Sequence, residues 1–75
     1  MKDEIKKLID EIADGQKEKL LKCGRAFVPT LTGEDVLQPN DYPELENNAP
    51  FRYEEGVLEG IQTIRAAILL LFKQG

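Results

Sequence analysis

Apolar residues recur along the first third of the chain at the spacing of one helical face. Stepping about 100° per residue places Ile5, Leu8, Ile9, Ile12, Gln16, Leu20, Cys23 and Phe27 in a single stripe, with the lysines and acids of residues 2–22 mostly opposite. This pattern predicts an amphipathic helix over about residues 3–27. Asp14-Gly15 carries turn chemistry, and a glycine inside a helix costs about 1 kcal/mol relative to alanine. The stripe nevertheless passes from Ile12 to Gln16 and Leu20 without a jump in phase, so the helix is expected to run through Gly15 unbroken. Val28 precedes Pro29, and the residue before a proline is pushed out of helical geometry, which sets the expected end near Ala26 or Phe27.

A second apolar periodicity begins after Pro50. Tyr53, Val57, Ile61, Ile64, Ile68, Leu71 and Phe72 form its main stripe, extended on one flank by Leu58 and Leu69. Gly56, Gly60, Thr63 and Ala67 make a ridge of small residues on the other flank, a weak sign of close helix approach in water. Leu70 lies outside both groups, so the last two turns are apolar nearly all round. The predicted second helix covers about residues 49–73, opened by Asn48 or Ala49 as cap with Pro50 in the first turn, where its missing N–H is harmless.

Between the helices, residues 28–48 form a connector that contains Pro29, Pro39 and Pro43. A structureless link of this length is improbable inside a small domain. Thr32-Gly33-Glu34-Asp35 fits the start of a short helical turn, with the Thr32 hydroxyl accepting from the Asp35 amide and Val36 and Leu37 as anchors. Asn40-Asp41-Tyr42-Pro43 is turn chemistry. The connector is therefore expected to be ordered, with Leu31, Val36, Leu37, Tyr42 and Leu45 lying against the helices.

Charge changes this picture mainly in the middle. Residues 1–28 carry seven bases and six acids, residues 29–50 five acids and no base, and residues 51–75 three of each, so the net charge of −4 resides in the connector. Glu34, Asp35, Asp41, Glu44 and Glu46 are candidates for an acidic surface that meets a basic partner protein, with Arg25, Arg52 and Arg65 available to dock them. Their spacing, interrupted by prolines, does not make a calcium loop. The balance also opposes nucleic acid and anionic membranes, and the longest apolar run, Ala66 to Phe72, falls far short of the ~20 residues of a span. The start, with acids at Asp3 and Glu4, does not read as an export signal, which sets the expected location in the cytoplasm.

Chemistry is limited by what is missing. The 75 residues contain one cysteine and no histidine, serine or tryptophan, which excludes Ser-His and Cys-His pairs and histidine-based zinc sites. Cys23 lies in the apolar stripe and reads as a small buried residue. Glu54, Glu55 and Glu59 with Asp10, Glu11 and Asp14 are the alternative: a divalent-metal-dependent helical enzyme or metal site built on the carboxylates of the second helix. Asp10, Glu11 and Asp14 are expected to face solvent, which weakens that alternative, and no cofactor is expected. In size and plan the chain resembles small helical-hairpin adaptors and secretion co-chaperones, a likeness of architecture that carries no function by itself.

The expected fold is all-α: one domain over residues 1–75, an antiparallel two-helix hairpin with an ordered, proline-rich connector, dimerising into a four-helix bundle. Lys19 is expected near Glu59 and Lys22 near Glu55. The expected function is a self-associating, non-enzymatic adaptor or regulator. Its candidate interface comprises Leu58, Ile61, Ile64, Ile68, Leu69, Leu70, Leu71 and Phe72, because these cover more of the helix than one neighbour can bury. The expected partners are a second copy and another protein.

Overall fold

A computed structural model describes residues 1–74. Helix α1 spans Lys2–Arg25 without interruption at Gly15. A 3-10 turn at Asp35–Leu37 and a second at Pro39–Asp41 lead to the short helix α2, Pro43–Glu46, and then to α3, Ala49–Gln74. The two long helices run antiparallel and pack along their length, and no strand occurs among the described residues.

The local signals act largely as their chemistry dictates. Asn48 caps α3: its Oδ1 accepts from the Phe51 amide at 2.9 Å, which satisfies one of the free donors at the helix start. Thr32 and Asp35 cap reciprocally, the Asp35 amide donating to Thr32 Oγ1 at 3.2 Å and the Thr32 amide to Asp35 Oδ2 at 3.1 Å. α1 stops at Arg25, slightly before the expected end, because the Phe27 and Val28 amides both turn back onto the Gly24 carbonyl ahead of Pro29.

The core lies at the connector end. Leu20 from α1, Leu31, Val36 and Leu45 from the connector, and Phe51 from α3 are buried together, flanked by Leu21, Cys23, Val28, Tyr42 and Leu58. Gly24 permits this: a Cβ there would run into the Leu31 side chain and press on the Phe51 ring at 3.3 Å. Leu37 departs from expectation. Val36 takes the inward position of the 3-10 turn, and Leu37 points away, 77 % exposed.

The register also differs from the expected one. Lys19 Nζ lies 3.4 Å from Glu54 Oε2, not beside Glu59, and Arg65 Nε donates to Asp10 Oδ1 at 2.7 Å. α3 is displaced by about one turn from the alignment that charge pairing suggested. A polar contact inside the interface accounts for this: Gln16 and Glu54 are both buried, and Gln16 Nε2 donates to the Glu54 carbonyl at 3.0 Å. Sliding the helices would leave the buried amide without an acceptor, at a cost of about 1–3 kcal/mol.

The molecule is long and thin, 44 × 18 × 16 Å, with a radius of gyration of 14.3 Å. A globular chain of this length would have about 11 Å. The helix pair is one layer, thickened only where the connector crosses it.

Candidate functional site

The surfaces follow from that single layer. On α1, Leu20, Gln16, Ala13 and Gly24 are the buried positions that face α3 and the connector. On one side of this line lie Lys17, Glu18 and Leu21, and on the other Ile5, Leu8 and Ile12. On α3, Glu55, Leu58, Glu59 and Gln62 lie to one side of the contact line, and Tyr53, Val57, Ile64 and Leu71 to the other. Lys17, Glu18, Leu21, Glu55, Leu58, Glu59 and Gln62 line one common groove, so they occupy one face of the hairpin. The two remaining stripes therefore share the opposite face.

That opposite face is apolar across both helices. Ile5, Leu8 and Ile12 on α1 and Tyr53, Ile64 and Leu71 on α3 are between 39 % and 70 % exposed. Of the interface candidates named from the sequence, Ile64, Leu70 and Leu71 are exposed, whereas Leu58, Ile61, Ile68, Leu69 and Phe72 are half-buried. Sequence reasoning placed Ile5, Leu8, Ile12 and Tyr53 in core-facing stripes and missed them as free surface. The signal that could have found them is the width of the stripe, which a single partner helix covers only in part.

The groove face is built differently. Leu20, Leu21, Val36, Leu37 and Leu58 floor a depression of about 630 Å³, and Lys17, Glu18, Glu55, Glu59 and Gln62 stand around it. Arg52 Nη1 donates to Glu55 Oε1 at 2.8 Å. Toward the open end of the hairpin, Lys2, Lys6, Arg65 and Lys73 surround Leu69 and Phe72 in a second cleft of about 440 Å³ that also includes Asp3. The Lys2 ammonium sits 5.8 Å above the Phe72 ring, within cation–π range.

The connector carboxylates are not docked by the arginines as expected. Arg25 Nε donates to the Leu31 carbonyl at 2.8 Å, and Arg52 Nε to the Glu46 carbonyl at 2.8 Å and its Nη2 to Asn40 Oδ1 at 2.9 Å. Arg65 is turned to Asp10 on α1. A planar guanidinium with several donors suits exposed carbonyls at chain turns, and the backbone of the connector offers these at short range. Glu34, Asp41, Glu44 and Glu46 remain at the surface. Asp35 is held below the usual carboxylate range, first by the Thr32 backbone hydrogen bond and then by the Thr32 and Tyr42 side chains. Burial and then the neighbouring Asp35 raise the Tyr42 phenol.

The acidic residues of the alternative reading separate. Glu54 is buried against Gln16 and Lys19, Glu55 is paired with Arg52, and Glu59 stands at the groove edge. Asp10, expected in solvent, bonds Arg65. Among the described residues no three acidic, histidine or cysteine side chains come together to hold a metal ion. Burial, reinforced by the Glu54 carboxylate, raises the Cys23 thiol and so keeps it protonated. No described helix is long and apolar enough to cross a membrane.

In comparisons with family models, curated proteins and solved structures, nothing matches this chain.

Proposed function

We propose that the protein is a small, non-enzymatic interaction module that pairs with a second copy through the apolar face of Ile5, Leu8, Ile12, Tyr53, Ile64 and Leu71. The exposed apolar stripes on both helices carry this reading. A monomer of this mass exposes about 4,650 Å² by the usual scaling. This chain exposes 5459 Å², about 800 Å² more, as its single elongated layer requires, so it has surface to spare for burial against a partner. A two-fold axis laid against the face gives a four-helix bundle, with every apolar contact made twice. The proposed role is that of an adaptor or regulator, and its proposed setting is the cytoplasm.

Sedimentation equilibrium tests the pairing. The wild type is expected at twice the monomer mass in the micromolar range. Ile64→Glu and Leu71→Glu should each shift it to monomer with helical circular dichroism retained, since both side chains are exposed in the single hairpin. Lys7→Glu, on an exposed position of α1 turned about 100° away from Leu8, should leave the mass unchanged. A wild type that stays monomeric at all concentrations, or glutamate variants that remain dimeric, overturns the reading.

A further inference from the structure

The groove on the other face supplies a second binding surface, and its position leaves it open when the apolar face is paired. Its floor is five aliphatic side chains drawn from α1, the first 3-10 turn and α3. Among these five, Leu37 is 77 % exposed, although a simple inward turn would have hidden it. The walls carry acid: Glu18 on α1, and Glu55 and Glu59 on α3. Gly33 closes the third side without a charge. Arg52 neutralises Glu55, while Glu18 and Glu59 make no ion pair among the described residues, and Lys17 is the only base in the lining.

We propose that this groove is the docking site for one amphipathic helical segment of another protein, with leucine-like anchors on its buried face and lysine or arginine flanking them. The inference rests on the reading of the chain as an interaction module but not on its pairing. Length supports it: α3 lines the groove from Glu55 to Gln62, about 10 Å at the helical rise, which matches two turns of a bound helix with anchors at i, i+3 or i+4, and i+7. Charge supplies the flanks. Carboxylates on opposite walls attract cations at both edges of an apolar stripe, and steer their approach. A second copy is the wrong occupant, because two such grooves set face to face across a two-fold axis would oppose Glu18 and Glu59 to the same carboxylates.

Fluorescence polarisation on the full chain tests this with labelled helix-forming peptides of about 15 residues, long enough to hold some helix in water. Each carries leucines at i, i+3, i+4 and i+7, in a lysine-flanked and a glutamate-flanked version. The lysine-flanked peptides are expected to bind saturably and at least about tenfold more tightly than the glutamate-flanked ones, with the difference shrinking at high salt. Leu37→Asp and the double variant Glu18→Lys/Glu59→Lys should each weaken binding about tenfold or more, at unchanged helical content. Ile64→Glu should leave peptide binding intact while abolishing pairing, so failure of one reading is separable from failure of the other. The proposal is overturned if no peptide binds, if both charge versions bind alike, or if Leu37→Asp has no effect on binding. Dissociation of wild-type dimers by Leu37→Asp would also overturn it, by assigning the groove to a second copy.

Discussion

The two ends of the hairpin use the same pair of helices and reach opposite degrees of closure. At the connector end Leu20, Leu31, Leu45 and Phe51 are sealed to within 2 % exposure. Toward the open end, among the described residues, nothing before Ala13 or after Glu54 is buried, although α3 is more apolar there than anywhere else. Composition therefore does not decide burial here; the number of layers does. Two helices can cover only one stripe of each other, and the connector adds a third layer over one end alone. The open end keeps the Asp10–Arg65 ion pair and the stack of Lys2 on Phe72, contacts at the surface that supply direction more than energy.

Truncating one large side chain at each end should separate the two ends most. Phe51→Ala should cost about 3–5 kcal/mol, because the ring fills a sealed site and its loss leaves a cavity. That is a large share of the stability available to so small a domain. Leu71→Ala should cost no more than about 0.5 kcal/mol when measured on dilute, unpaired protein, since the side chain is 65 % exposed in the single hairpin. Urea midpoints for the two variants decide the matter. A costly Leu71→Ala in dilute protein would mean that the open end has a core of its own.

The caps of the closed end were legible in the sequence, but its core only in part: Phe51 lies outside the apolar stripe assigned to α3, and Tyr53, inside that stripe, is 70 % exposed. Asn48, Thr32 and Asp35 are local signals whose hydrogen bonds reach only three residues, so chain order alone specifies them. Continuity through Gly15 followed from the unbroken phase of the stripe. The axial register did not follow, because periodicity fixes which face of a helix is apolar but not how far one helix slides along another. Gln16 and Glu54, remote in sequence, set that slide by a hydrogen bond that no local pattern announces. The arginines were misassigned for a related reason: charge suggested carboxylates, whereas the turns of the connector present carbonyls nearer to Arg25 and Arg52. For the candidate surfaces, exposure at Ile64, Leu70 and Leu71 was legible in the apolar excess of α3. The groove was not, since Leu37 turns outward only once Val36 has taken the inward position.

A smaller effect sharpens the contrast within α1 alone. Gly24 belongs to the closed end, where a Cβ meets Leu31 and Phe51, and Gly15 to open surface, where a Cβ meets nothing within 4 Å. Gly24→Ala gains helix propensity but forces side chains apart in a sealed core, for a net loss of about 1–3 kcal/mol. Gly15→Ala has no such conflict and should stabilise by about 0.5–1 kcal/mol. Opposite shifts in thermal midpoint are the expected result. Two stabilising substitutions would show that the core around Gly24 has room to move.

The smallest effect concerns how firmly the connector is clasped, and it is read by pH. Asp35 has its folded pKa lowered, so its contribution is present above the ordinary carboxylate value and is lost as pH falls through the lowered one, in a window below about pH 4. The Tyr42 phenol is raised, partly by the same carboxylate, so its contribution is present below the ordinary phenol value and is lost as pH rises through the raised one, above about pH 10. One contact is therefore released from both sides. Asp35→Asn should remove the acid-side loss, because asparagine can still accept from the Thr32 hydroxyl and amide region but does not titrate. It should also bring Tyr42 down toward its ordinary value, since the negative charge that opposed phenolate formation is gone. In a Tyr53→Phe background only Tyr42 contributes to tyrosinate absorbance, so a titration with and without Asp35→Asn reads the coupling directly. Superimposable titrations would mean that Asp35 and Tyr42 act independently, and that the connector is closed by its buried leucines without help from this contact.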